Sequence, residues 1–270
     1  MKAQELVSKA LDVAKNYKTL YVLGCFGAPL NPKNKIRYTN NQPYNGKPVD
    51  IVVGYDGNGK AIIEKRISAE GKIRKAMIEK ASEDTFGFDC VCLVKALLSG
   101  WCGDLSRTYG GTHYPFSCPD VGANTMMSRY CKGGSSDFST IVEGELVWMD
   151  GHVGIYVGSG DVVECSPKFE NCVQITHLGN VGKKSGNYRM WTKHGKLPWV
   201  EYDSKTEEYV PDPTETDDIG KRTYIVKKGD TLSRIASRYN TTVERIVKDN
   251  LKTHKSITPD HIVSGWKLLV

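Results

Sequence analysis

No stretch of this 270-residue chain approaches the roughly 18 consecutive apolar residues that a membrane-spanning helix needs. Its longest uninterrupted apolar runs are only a few residues long, so no membrane span is expected. Met1-Lys2-Ala3-Gln4-Glu5-Leu6 puts an acidic residue and helical spacing where an export signal would carry an apolar block. No Sec-type signal peptide is expected, and the chain reads as made in the cytoplasm. Cysteine is sparse: eight residues fall far below the density of a disulfide-stapled secreted domain, and they are expected to be thiols. Cys25, Cys102, Cys118, Cys131, Cys165 and Cys172 show no CxxC spacing, and Cys90-x-Cys92 is too short for a usual zinc pair. No metal or cofactor is implied. Asp56-Gly57-Asn58-Gly59 lacks the further acidic ligands and closing glutamate of a calcium loop, which leaves it a turn signal.

What is present reads as globular: 39% hydrophobic and 25% charged residues, enough for one sizeable core and a smaller second one. The net charge of +6 is uneven. Residues 221–270 carry 11 Lys/Arg against 4 Asp/Glu, whereas residues 203–220 carry 1 against 7. That acidic piece also holds Pro211 and Pro213 and almost nothing apolar, so it is expected to be an extended, self-repelling linker. The expected domains are therefore 1–202, the linker 203–220, and 221–270. The basic charges of the tail are scattered and its aromatics few, so no nucleic-acid partner is expected.

In the tail, Tyr224-Ile225-Val226 alternates like a strand and runs into Lys227-Lys228-Gly229-Asp230, a turn. Thr231 then caps a periodic stretch with Leu232, Ile235, Ala236 and Tyr239 on one face. A second helix starts at Thr242 and ends at Asn250, and Gly265 to Val270 supplies a returning strand. The order is βααβ. This tail resembles the LysM module, in Tyr224-x-Val226-x-x-Gly229-Asp230-Thr231-Leu232-x-x-Ile235-Ala236 and in Gly265-x-Lys267-Leu268-x-Val270. The resemblance implies binding of peptidoglycan or chitin-like, GlcNAc-containing glycan in a shallow groove. Gly229, Asp230, Thr231 and Leu232 would line one side of it, and the stretch from Ile257 to Ile262 the other.

Residues 1–202 read as mixed. Leu6, Ala10, Leu11, Val13 and Ala14 make an amphipathic first helix; Val49–Tyr55 and Ala61–Ile67 make a hairpin; Ile73, Met77 and Ile78 suggest another helix. The informative run is Phe86 to Leu98. Spacing after Cys90 is helical and Asp89 is a good N-cap, so Cys90 falls in the first turn, where the helix dipole favours a thiolate. Cys92, about 200° further round the helix, points to the core. Downstream, Gly144–Trp148 and Gly151–Gly158 read as strands that turn through Ser159-Gly160-Asp161 into Val162-Val163-Glu164-Cys165. A glutamate beside His152 on the next strand would hold the imidazole in one tautomer. An even pairing register is needed for that, with a bulge or strong twist near Gly154 or Gly158. His113 and His177 are read as surface or structural.

The large domain resembles the NlpC-type cell-wall cysteine peptidases, a papain-like family, and their amidase-like CHAP relatives. Phe88-Asp89-Cys90-Val91-Cys92-Leu93-Val94, Gly144-Glu145-Leu146-Val147 and His152 to Tyr156 carry the likeness. The resemblance implies an α+β fold with N-terminal helices on an antiparallel sheet. It implies Cys90 as nucleophile, His152 as general base and then acid, and Glu164 as the group that orients it. Tyr21, in a segment like the family's tyrosine-containing loop, would help the Cys90 amide bind the oxyanion, and Asp89 would contact substrate. Two departures stand out: Val91 and Cys92 replace the family's Ser-Gly, and about 60 residues separate Tyr21 from Cys90, an inserted segment of about residues 28–85. The implied activity is peptidoglycan hydrolysis: a bacteriolytic cysteine peptidase cutting stem-peptide amide bonds, endolysin-like and acting on the cell wall. The alternatives are an N-acetylmuramoyl-L-alanine amidase on the same scaffold and a non-catalytic wall-binding protein.

Overall fold

The structure is a computed structural model that describes residues 1–178, 190–202, 223–226, 230–239 and 241–270. It divides into two compact units, Met1–Tyr202 and Asp203–Val270. The acidic segment 203–220, expected to be a linker, lies outside the described residues.

The first unit begins with α1 (Ala3–Asn16), where Leu6, Ala10 and Val13 are buried at helical spacing. Strands β1 (Thr19–Tyr21) and β2 (Phe26–Pro29) lead to α2 (Pro32–Asn41). The sequence reading had no counterpart for α2, although Asn31 caps it by accepting the Asn34 N–H and Pro32 sits in its first turn. The hairpin β3 (Val49–Tyr55) and β4 (Ala61–Arg66) pairs only with itself, and its side chains are mostly exposed. Helix α3 (Ala69–Lys80) follows a Ser68 cap. Then come β5 (Phe86–Phe88) and α4 (Cys90–Leu98). A short turn, α5 (Ala123–Thr125), precedes the strands β6 (Lys132–Ser135), β7 (Leu146–Met149), β8 (His152–Gly158), β9 (Asp161–Cys165), β10 (Val173–His177) and β11 (Lys193–Lys196).

These strands form a six-stranded antiparallel sheet in the order β10-β9-β8-β7-β11-β6, and β1-β5-β2 forms a separate three-stranded sheet. Period-two alternation gives the large sheet two different faces. Leu146, Val153, Ile155, Val163 and Cys165 face a core shared with Leu6 and Ala10 of α1 and with Leu93 and Leu97 of α4. Val147, Val162 and Trp191 belong to a second cluster. The unit is thus mixed α+β. Truncating a fully buried side chain such as Leu97 to alanine would cost about 2–5 kcal/mol.

In the second unit, β12 (Thr223–Ile225) pairs antiparallel with β13 (Lys267–Leu269), with α6 (Leu232–Arg238) and α7 (Val243–Asn250) between them in sequence. Tyr224, Leu232, Ile235, Ile246, Ile257 and Leu268 form its core. Asn250, buried at the end of α7, donates to the Ile246 and Leu269 carbonyls and accepts the Leu269 N–H, which fastens the helix to the last strand.

Candidate active site

Asp89 is extended and caps α4, its Oδ1 accepting the Cys92 N–H at 2.7 Å. Its Oδ2 accepts the Gly24 N–H at 2.8 Å, so one buried carboxylate ties the helix tip to the loop after β1. Both oxygens therefore serve the protein's own backbone. Cys90 is the first helical residue and is buried. Burial, and then the Asp89 carboxylate, push its thiol up to about 12, against lowering hydrogen bonds from the backbone N–H groups of Val153, Val91 and Cys90 itself. The helix dipole weighed from the sequence favours a thiolate; burial acts the other way and favours the thiol.

The backbone N–H of Val153 lies by the Cys90 thiol where α4 packs on the sheet, and His152 immediately precedes it at the start of β8. The His152 ring lies with Trp191, the two rings stacked at 5.4 Å between centroids and 17° between planes. Its Nε2 hydrogen-bonds Glu164 Oε2. Glu164 is fully buried on β9, and its Oε1 accepts the Thr176 hydroxyl from β10 at 2.8 Å. The register has the parity the pairing needs, with Ile155 opposite Val163 and Tyr156 opposite Val162, and an irregularity falls between Tyr156 and Gly158. Gly154 makes room for this close packing. A Cβ there would sit 2.5 Å from Val162 Cγ1 and 3.2 Å from Trp191 Cη2. Nδ1 of His152 makes no hydrogen bond to Cys90 or to any other described residue.

Tyr21 pairs with Phe88, just before Asp89, across parallel β1 and β5. Burial and the nearby Asp89, Cys90 and Cys165 groups hold its phenol far above the usual range, so it is a neutral O–H donor beside Cys90. Its N–H donates to the Asn171 carbonyl at 2.9 Å. The inserted segment reinforces this placement in a way the sequence reading missed. Tyr44 packs edge-on against Tyr21, Arg74 lies over Tyr44, and Arg74 also hydrogen-bonds the Asn171 side chain.

A cleft of about 600 Å³ opens at the start of α4, lined by Asp89, Val91, Cys92 and Lys95 and by residues of the 23–42 and 109–122 regions; Cys90 is not among its lining residues, and Cys92, expected to point to the core, is. Among the described residues, no three His, Cys, Asp or Glu side chains group as metal ligands, and all eight cysteines are unpaired. No described helix is long and apolar enough to cross a membrane. A second buried imidazole, His194, pairs through Nδ1 with Glu145 Oε2 and through Nε2 with the Asp137 carbonyl at 2.9 Å. His177 is exposed and pairs with Asp161 at 2.6 Å.

In the second unit the Tyr224 hydroxyl donates to Asp230 Oδ2 at 2.6 Å, and the exposed Thr231 hydroxyl lies 3.1 Å from Ser233 Oγ. The side chain of Leu232, expected to line a groove, sits in the core with 1% exposure, so glycan cannot reach it there. Ile257 is likewise buried, and Gly229 lies outside the described residues. Comparison with protein-family models matches residues 224–270 to the LysM domain. The second unit carries a LysM domain. LysM domains bind peptidoglycan and other GlcNAc-containing glycans, so the chain contains a peptidoglycan-binding module. No curated protein matches the chain.

Proposed function

We propose that the first unit is a thiol hydrolase that cuts amide bonds in the stem peptide of peptidoglycan, with the LysM domain holding it to the wall. One observation carries this reading: a buried carboxylate orients an imidazole whose neighbouring backbone N–H faces a cysteine at the tip of a capped helix. The resting thiol calls for a general base. As its sulfur attacks the substrate carbonyl and forms the C–S bond, its proton passes to Nδ1 of His152, the nitrogen not held by Glu164. The carbonyl oxygen becomes an oxyanion and accepts hydrogen bonds from the Cys90 N–H and the Tyr21 hydroxyl. The tetrahedral intermediate collapses by breaking the C–N bond, and the imidazolium protonates the departing amine. Water, deprotonated by His152, then hydrolyses the thioester and regenerates the thiol. In a free enzyme such catalytic hydrogen bonds are often long and tighten only around substrate, which fits an Nδ1 without a partner among the described residues. Attachment of a LysM domain to the same chain raises the local concentration of wall at the cleft.

The test is lysis of purified cell walls. Cys90→Ser abolishes lysis while wall binding stays intact; retained hydrolysis removes Cys90 from the mechanism.

A further inference from the structure

The cleft at the start of α4, lined by Val91 and Cys92 just after Cys90 in sequence, has a row of aromatic rings with a cation at each end. Tyr109 and Phe26 pack at 4.5 Å between centroids, and Phe26 meets Phe116 edge-on at 5.0 Å. The Arg37 guanidinium lies over Tyr109 at 5.0 Å, and the Lys95 ammonium over Phe116 at 4.9 Å. All five side chains line the cavity. The two cations differ in what they hold. Buried Lys95 is taken by Asp120, with the nitrogen 2.5 Å from Oδ1, so that charge is balanced within the protein. Arg37 is exposed on α2, and no carboxylate among the described residues lies within ion-pair distance of it. A guanidinium stacked on a ring uses its face and keeps its in-plane N–H fork open, the geometry that accepts a carboxylate through two parallel hydrogen bonds.

We propose that this cleft is a subsite for an acidic peptide, with a substrate carboxylate held by Arg37 and the adjoining carbon chain laid along the Tyr109–Phe26–Phe116 row. Naming that peptide as part of the hydrolase substrate rests on the reading above, while the binding chemistry stands on the cleft alone. The inserted segment then has a role: α2 carries the residue that selects a charged peptide.

Binding is measured calorimetrically on the full-length Cys90→Ala chain, which cannot turn over. The probes are a sugar-free acidic tetrapeptide of the stem-peptide type, which gives the LysM domain no glycan, and its fully amidated counterpart. We expect the acid to bind more tightly than the amide. Adding Arg37→Ala weakens binding of the acid by about tenfold or more and erases the difference between the two peptides, and Arg37→Lys restores part of it. Equal binding of acid and amide to Cys90→Ala overturns the proposal, as does an affinity for the acid that Arg37→Ala leaves unchanged. The hydrolase reading fails separately, by wild-type chain leaving purified walls uncut.

Discussion

Two buried imidazole–carboxylate pairs stand out among the described residues of the first unit, His152 with Glu164 and His194 with Glu145, and they differ in what their second nitrogens do. Both carboxylates are buried and both histidines are tied through one ring nitrogen. The His194 ring is 2% exposed, and its second nitrogen is spent on the Asp137 carbonyl. That ring is a strut. It bridges β11 to the segment before β7 and has no nitrogen left to exchange a proton. The His152 ring is 12% exposed, keeps Nδ1 without a hydrogen-bond partner among the described residues, and stands one residue from Val153, whose N–H lies by the Cys90 thiol. A buried His–Glu pair is thus not in itself a mark of catalysis. What separates the two is an Nδ1 with no partner among the described residues and a neighbouring cysteine.

Substitutions that treat the pairs alike sharpen that contrast. The largest effect is expected at His152: His152→Ala lowers wall hydrolysis by about 10³-fold or more, measured as turbidity loss, with a small change in unfolding midpoint. His194→Ala acts the other way. It leaves Glu145 buried without its partner and costs about 3–5 kcal/mol of stability by denaturant unfolding, while the protein that remains folded still hydrolyses walls. Next come Glu164→Gln and Tyr21→Phe, each lowering the rate by about 10²-fold through a misplaced imidazole and a lost oxyanion donor. Equal stability losses at His152 and His194, with no rate loss at either, would erase the distinction.

A pH experiment addresses the thiol. Burial holds Cys90 up to about 12, above the value near 9 of an unfolded cysteine. The folded state therefore keeps a proton that the unfolded state loses. The resulting stability is complete below pH about 9 and declines as pH rises toward the folded value. Cys25 and Cys131, also raised to about 12 by burial, act in the same direction. Thiolate absorbance of wild type minus Cys90→Ser should stay flat from pH about 6 to about 9; a thiolate appearing in that interval would restore the helix-dipole expectation. The smallest effect is in the LysM domain. Thr242 accepts the Arg245 N–H at the start of α7, so Thr242→Ala costs about 1 kcal/mol there and leaves stem-peptide hydrolysis unchanged.

Much of this was readable where the chain carries a strong local pattern. The α4 tip was visible because Asp89 and Cys90 sit next to a run of helical apolar spacing, and the pairing of His152 with Glu164 because a tight turn separates their strands. The βααβ order of the tail followed from its caps, Thr231, Thr242 and Asn250. Other features depend on contacts between distant residues and left no local trace. Trp191 and His194 reach the site and the strut from β11 and its approach, roughly 40 residues beyond β8. Helix α2 was hidden by its polar sequence, PKNKIRYTNN, which buries only Asn34, Tyr38 and Thr39. Strand β5 is three residues long with a central glycine, too short for alternation to show. Burial of the Cys90 sulfur also left no local trace, because the dipole argument weighs only the helix, whereas burial is a property of the whole fold.

The most direct measurement is mass spectrometry of muropeptides released from purified peptidoglycan by the full-length chain and by its Cys90→Ser variant. The account predicts new amino termini within the stem peptide from the wild-type chain and none from the variant. Free lactoyl-muramic ends would move the cut to the glycan–peptide junction. Muropeptides left unchanged by the wild-type chain would contradict the hydrolase assignment and leave a wall-binding protein with a structural head.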